Sequence, residues 1–192
     1  CDVNPRNVLL TRGRPKLIDL GIAHVSDSFV HRAWRTERSL PVGTVPYMAP
    51  EQLDGARQDP TIDQYALAVL FYEMAAGYPY LDFNMIMTPG AEIRNMALVQ
   101  NEQPMPAEGL SSEINQVLLR ALNKDPRARY PSMRAFRQAL VQALVPSLPA
   151  EQGLQLIAPV GEAHRLSRAD LEWPRWMWAA LCALNLAAMA TL

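Results

Sequence analysis

The run Tyr65–Ala76, with Thr61-Ile62-Asp63 ahead of it and Gly77 directly behind, limits the fold of this chain more than any other stretch. It is apolar almost all the way round. A helix with no polar face has to be wrapped by the rest of its domain, and a glycine just past the last turn is a common helix stop. The run is too short to cross a bilayer and is broken by Glu73. The expectation is a buried central helix. Asp63 at its start reads as an N-terminal cap whose carboxylate complements the helix dipole.

Other helices are expected around it. Ala91 to Gln100 has amphipathic spacing with Ile93, Met96 and Ala97 on one face, while Tyr78-Pro79-Tyr80 and Met85 to Gly90 read as loop. Ser111 or Ser112 caps a segment with Ile114, Val117, Leu118, Ala121 and Leu122 at helical spacing, stopped by Asp125-Pro126. Ser132 caps another, with Met133, Phe136, Leu140, Ala143 and Leu144 turned inward. These stripes read as core. At 192 residues and 49% hydrophobic content, the chain fits one domain with a real core plus an appendage. A net charge of −1 argues against a general nucleic-acid binder. Cys1 and Cys182 form neither a disulfide framework nor a metal knuckle. His24, His31 and His164 lack metal-ligand spacing.

The mainly helical body is preceded by a different pattern. Val8-Leu9-Leu10 and Lys16-Leu17-Ile18 are short apolar runs separated by Thr11-Arg12-Gly13-Arg14, which reads as a β-hairpin. The residue before the first strand and the residue after the second meet at the open end. They are Asn7 and Asp19, an amide and a carboxylate, and oxygen ligands of this kind suit Mg²⁺ shared with substrate phosphates. Asp2 lies just upstream, placed to face the same space. The constellation is a candidate phosphoryl-transfer site.

Asp2-x-x-x-x-Asn7, then Asp19-Leu20-Gly21, then Met48-Ala49-Pro50-Glu51 resembles the catalytic-loop, DFG and APE series of protein kinases. The likeness is to bacterial Ser/Thr kinases of the eukaryotic-like type and runs from Cys1 to about Leu144. It implies a mainly α fold: the large C-terminal lobe of a protein kinase, with a small β-hairpin at the catalytic loop. Because the sequence opens inside a motif, the ATP-binding N-terminal lobe is expected to be missing, and the fragment alone inactive. The implied function of the full-length protein is signalling by transfer of the ATP γ-phosphate to protein Ser/Thr hydroxyls. The cofactors are ATP and Mg²⁺, the partner is a protein substrate, and no nucleic acid is expected.

Residue by residue, the resemblance gives Asp2 the role of orienting the acceptor hydroxyl and accepting its proton. Asn4 stands where the family usually carries a phosphate-contacting Lys. Asn7 and Asp19 take the metal, and Gly21 supports the loop behind them. In Gly43 to Gln52, the segment that faces a Ser/Thr substrate, Thr44 would place the acceptor. Glu51 would form a buried ion pair with Arg129, and Asp63 would buttress the catalytic loop. Ser26, Ser28, Thr36 and Ser39, interleaved with Arg32, Arg35 and Arg38, are candidate phosphosites of the activation segment. Two positions depart from the family. Cys1 replaces the Arg that receives a loop phosphate, and Asn4 lacks the cation. Loss of one such stabilising group costs on the order of 10²–10³ in rate.

After Val145 the pattern changes. Pro146, Pro149 and Pro159 mark a linker. Trp176 to Leu192 is an apolar run of 17 residues, flanked by Trp173 and by Arg165, Arg168 and Arg175. A spanning helix takes about 20 residues, with aromatic residues at the interface and positive charge on the cytoplasmic side. The expected organisation is therefore a kinase C-lobe over 1–144, a juxtamembrane linker over 145–172 and a transmembrane helix over 173–192. That puts a single-pass protein in the cell membrane, with its kinase part cytoplasmic and a homodimer among its expected assemblies. Two alternatives stand behind the kinase reading. One is a pseudokinase that binds or scaffolds with weak or no transfer, favoured by Cys1 and Asn4. The other is a small-molecule phosphotransferase, disfavoured by the peptide-facing segment Gly43 to Gln52.

Overall fold

A computed structural model of the chain describes residues 3–11, 14–18, 45–54, 61–84 and 88–147. Within them the fold is mainly helical, with one two-stranded antiparallel sheet. Strands β1 (Val8–Thr11) and β2 (Arg14–Leu17) pair in the register Val8↔Leu17 to Thr11↔Arg14, leaving a two-residue connection. The sequence places the second strand two residues too late. Pro15 discourages a strand assignment, yet it is tolerated where only one partner strand exists and its missing N–H faces no neighbour.

The helices are α1 (Pro50–Leu53), α2 (Thr61–Ala76), α3 (Pro89–Asn101), α4 (Ser112–Ala121) and α5 (Met133–Leu144). The central element is α2, as its composition demands. Every residue from Gln64 to Tyr72 is buried, so no face reaches solvent. It ends at Gly77, whose φ of 81° is a left-handed conformation that costs glycine nothing and whose N–H closes onto the Glu73 carbonyl at 2.8 Å. Asp63 is the third residue inside the helix rather than a cap before it. Its carboxylate still lies at the positive end of the dipole.

Helices α4 and α5 pack on each other and on α2. Both carry a clean stripe: Ile114, Val117, Leu118, Ala121 and Leu122 on one, Phe136, Leu140, Ala143 and Leu144 on the other. Ser111 and Ser132 cap them by accepting N–H bonds from Ile114 and Ala135. Helix α3 differs from its sequence reading. It begins earlier, capped by Thr88. It buries Ala91, Asn95, Met96 and Val99, while Ile93 is 62% exposed and Ala97 also faces out.

The reason lies in the amide. Asn95 accepts from the Asn84 N–H and donates to the Asn84 carbonyl, both at 2.9 Å, and this pairing fixes the inward face. The same device recurs twice. Asn115 clasps the backbone of Ala107 (2.7 and 3.1 Å), and Gln64 that of Tyr130 (3.0 and 3.2 Å). Each buried amide satisfies both polar groups of a loop residue that would otherwise be stranded in the core. Among the described residues no helix is long and apolar enough to cross a membrane. The run Trp173 to Leu192 lies outside them, as do the linker positions beyond residue 147.

Candidate active site

The catalytic-loop segment is described from Val3 onward. Asn4 is buried, 6% exposed, and its Oδ1 accepts the Arg6 N–H at 2.9 Å. It caps a 3₁₀ turn, Pro5–Asn7, which the Asn7 N–H closes onto the Asn4 carbonyl at 3.0 Å. The turn follows from the sequence: an Asn that can cap, then a Pro whose fixed φ suits the first helical position.

Asn7 leads directly into β1. Its carbonyl accepts the Ile18 N–H at 2.7 Å, extending the hairpin ladder by one rung beyond Val8↔Leu17. Asn7 and the residue preceding Asp19 are thereby tied together at the open end of the hairpin. Asp2, Asp19, Gly21 and Thr44 lie outside the described residues, as do Cys1 and the hydroxyls of Ser26, Ser28, Thr36 and Ser39. The group that could hold Mg²⁺ from the described side is the Asn7 amide, whose oxygen is a hard donor suited to that ion. Among the described residues no group of three or more His, Cys, Asp or Glu is gathered to hold a metal.

The next described segment starts with a 3₁₀ turn, Val45–Tyr47, and runs into α1. Ala49 is fully buried, and its N–H is taken by the Gln52 side chain at 2.8 Å. Glu51 on α1 meets Arg129 in a bidentate pair, with both N–H···O distances at 2.7 Å. The Arg129 side chain is wholly buried and Glu51 nearly so, at 0% and 11% exposure. Arg129 also donates from Nε to the Asn123 carbonyl at 2.8 Å and from Nη1 to the Thr61 carbonyl at 3.2 Å. Its guanidinium lies 4.9 Å from the Tyr65 ring centroid. One side chain therefore joins α1, the start of α2 and the turn after α4. Asp63 is half-buried two residues beyond Thr61.

One further link joins the Val45–Tyr47 turn to the core. The Tyr47 hydroxyl donates to Glu73 Oε2, fastening that turn to the central helix. Burial pushes the Glu73 carboxyl above the usual carboxylate range, and the Tyr47 hydrogen bond pulls part of that back. The Tyr47 hydroxyl is itself raised, by burial first and then by Glu73, while the nearby Arg6 guanidinium acts in the opposite direction. A carboxylate within the otherwise apolar run Tyr65–Ala76 was the available signal.

Comparison with known proteins identifies the family. The protein kinase domain family matches residues 1–141. The chain is 36% identical over 151 residues to serine/threonine-protein kinase Pkn1 of Myxococcus xanthus, covering 74% of this chain and 21% of that protein. It is 31% identical over 149 residues to serine/threonine-protein kinase pkn3 of the same organism, covering 72% of this chain and 26% of that protein. It is 27% identical over 188 residues to serine/threonine-protein kinase PknB of Mycolicibacterium smegmatis, covering 91% of this chain and 29% of that protein. The chain thus spans less than a third of the length of these curated relatives. With the family match extending over residues 1–141, into α5, this chain belongs to the protein kinase family.

Proposed function

We propose that the full-length protein containing this chain is a Ser/Thr protein kinase that moves the ATP γ-phosphate onto protein Ser/Thr hydroxyls. The observation that carries this reading is the Asn7–Ile18 rung, which ties together the two ends of the hairpin and supports an amide at Asn7 and a carboxylate at Asp19 sharing one ion. Asn7 and Asp19 would hold Mg²⁺, which when bound neutralises charge on the ATP phosphates. Asp2 orients the acceptor hydroxyl and takes its proton. Asn4 holds the turn that positions Asn7, and Thr44 places the substrate chain. Catalysis of this kind is mostly positioning and electrostatic stabilisation. Glu51, Arg129, Asp63 and Gly21 keep those groups in place. The names of the relatives support protein Ser/Thr transfer and lend nothing to a pseudokinase reading.

The same reading includes a kinase lobe over 1–144, a linker over 145–172 and a membrane-spanning helix over 173–192. The lobe would lie on the cytoplasmic side of the cell membrane and the protein would assemble as a homodimer, with Ser26, Ser28, Thr36 or Ser39 as phosphosites. The tryptophans and arginines around the apolar run support the membrane part. The test is a full-length transfer assay with radiolabelled ATP and a generic protein substrate, run beside Asp2→Asn and Asn4→Lys. Phosphoserine or phosphothreonine in the product, lost in Asp2→Asn, is the expected result. Absence of transfer in the unmodified protein, with gain in Asn4→Lys, overturns it in favour of a binding module.

A further inference from the structure

Lys124 is placed unlike an ordinary surface lysine. It sits in the turn between α4 and Arg129, and its side chain runs back towards the core rather than out to a carboxylate. Its Nζ lies 3.4 Å from the Tyr65 hydroxyl and 5.8 Å from the Tyr65 ring centroid. The Arg129 guanidinium is also packed against that ring, at 4.9 Å. Two cations therefore share one aromatic ring. Arg129 takes up the nearby negative charge, because both Glu51 oxygens are bonded to it. Lys124 is left with a tyrosine hydroxyl that is itself engaged with Tyr80 at 3.0 Å. No ion pair of Lys124 occurs among the described residues, and Glu102 acts on it only at a distance. The residue is only partly buried, so solvent reaches it.

We propose that Lys124 is a covalent acylation site, whose amine reacts with acyl phosphates. The neutral Nζ attacks the acyl carbon, a C–N bond forms, the C–O bond to phosphate breaks, inorganic phosphate leaves, and the displaced N–H proton passes to solvent. No oxidant or second enzyme is required. Only the neutral amine reacts, and its surroundings favour that form. Burial is the main cause and the Arg129 charge the second, with Glu102 opposing, and together they lower the Lys124 pKa to about 8. At pH 7.5 about a quarter of Lys124 is then neutral, against about a thousandth of a lysine at ~10.4. Lower basicity weakens the nucleophile and offsets part of that gain.

The chain contains its own control. It has two lysines, Lys124 and Lys16, and Lys16 is exposed on β2. The experiment treats the folded full-length protein with acetyl phosphate between pH 6.5 and 9.5 and follows acetylation of the two lysine peptides by mass spectrometry. The expected result is acetylation at Lys124 at least about tenfold faster than at Lys16 at pH 7.5. Its rate should level off above about pH 8. In Tyr65→Phe, which keeps the ring and removes the hydroxyl, Lys124 should remain the faster site. Equal rates at the two lysines at pH 7.5, or a Lys124 rate still climbing at pH 9.5, would overturn the proposal.

Discussion

Glu51 and Arg129, 78 residues apart in the chain, are joined by two parallel hydrogen bonds of 2.7 Å, one from each terminal nitrogen of the guanidinium. Two further Arg129 N–H groups reach the Asn123 and Thr61 carbonyls, so the buried cation is neutralised and four of its five N–H groups are bonded. Through it, the segment that would face a substrate is fixed to the start of the central helix and to the turn preceding α5.

Removing either partner leaves the other charged group buried alone. Arg129→Ala and Glu51→Ala should each destabilise the domain by about 3–5 kcal/mol, the range for broken buried pairs. Arg129→Lys should recover only a small part, since an ammonium lacks the planar fork that spans both oxygens and two carbonyls. Chemical denaturation midpoints check both statements.

Asn4 acts locally through its side-chain oxygen. Asn4→Ala should cost about 1 kcal/mol through loss of the cap, and Asn4→Asp, which retains an acceptor, should cost less. The same denaturation measurement separates the two. If Asn4→Lys gains transfer activity, it should do so with a stability loss similar to that of Asn4→Ala.

Glu73 gives the fold a pH dependence with a definite sign. Its folded carboxyl titrates above the ordinary carboxylate value, so between those two values the folded state binds more protons than the unfolded state. Stability contributed by this group is therefore full at acid pH and lost as pH rises through the window. Glu73→Gln should flatten that decline. Tyr47→Phe, which removes the hydrogen bond that lowers the Glu73 pKa, should extend the decline to higher pH. Denaturation midpoints measured from pH 4.5 to 8 in the three proteins provide the check.

Much of the helical body could be read from residue spacing. The core stripes of α4 and α5 recur at helical intervals behind serine caps, and α2 has no polar side to misplace. Misreadings arose where a side chain amide replaced backbone pairing. Ile93 and Ala97 look like core on periodicity, but Asn95 turns α3 so that they face solvent. No local pattern reports that a distant Asn84 backbone needs a partner. Pro15 hid the start of β2 for a related reason, because propensity does not reveal which strand edge will be left unpaired. Of the site, the hairpin was legible in two short apolar runs and the Glu51–Arg129 pair in the resemblance to protein kinases, whereas the Tyr47–Glu73 link depends on tertiary placement.

Those buried amides carry their own expectation. Asn115 bonds to Ala107 N–H and O and to the Leu110 carbonyl, so Asn115→Leu should strand two loop backbone groups or more. Each stranded group costs about 1–3 kcal/mol, and the loss should exceed that of a typical surface change by several-fold in a denaturation experiment.

The central claim is that the hairpin and the loop before it form a working phosphotransfer site in the full-length protein. It is tested most directly by the rate of ³²P transfer from ATP to a protein substrate in the unmodified protein, Asp2→Asn and Asn7→Ala, at saturating ATP and Mg²⁺. The account predicts Ser/Thr phosphorylation by the unmodified protein and a loss of at least about 10²-fold in each variant, with folding retained by circular dichroism. Equal rates in all three proteins would contradict it.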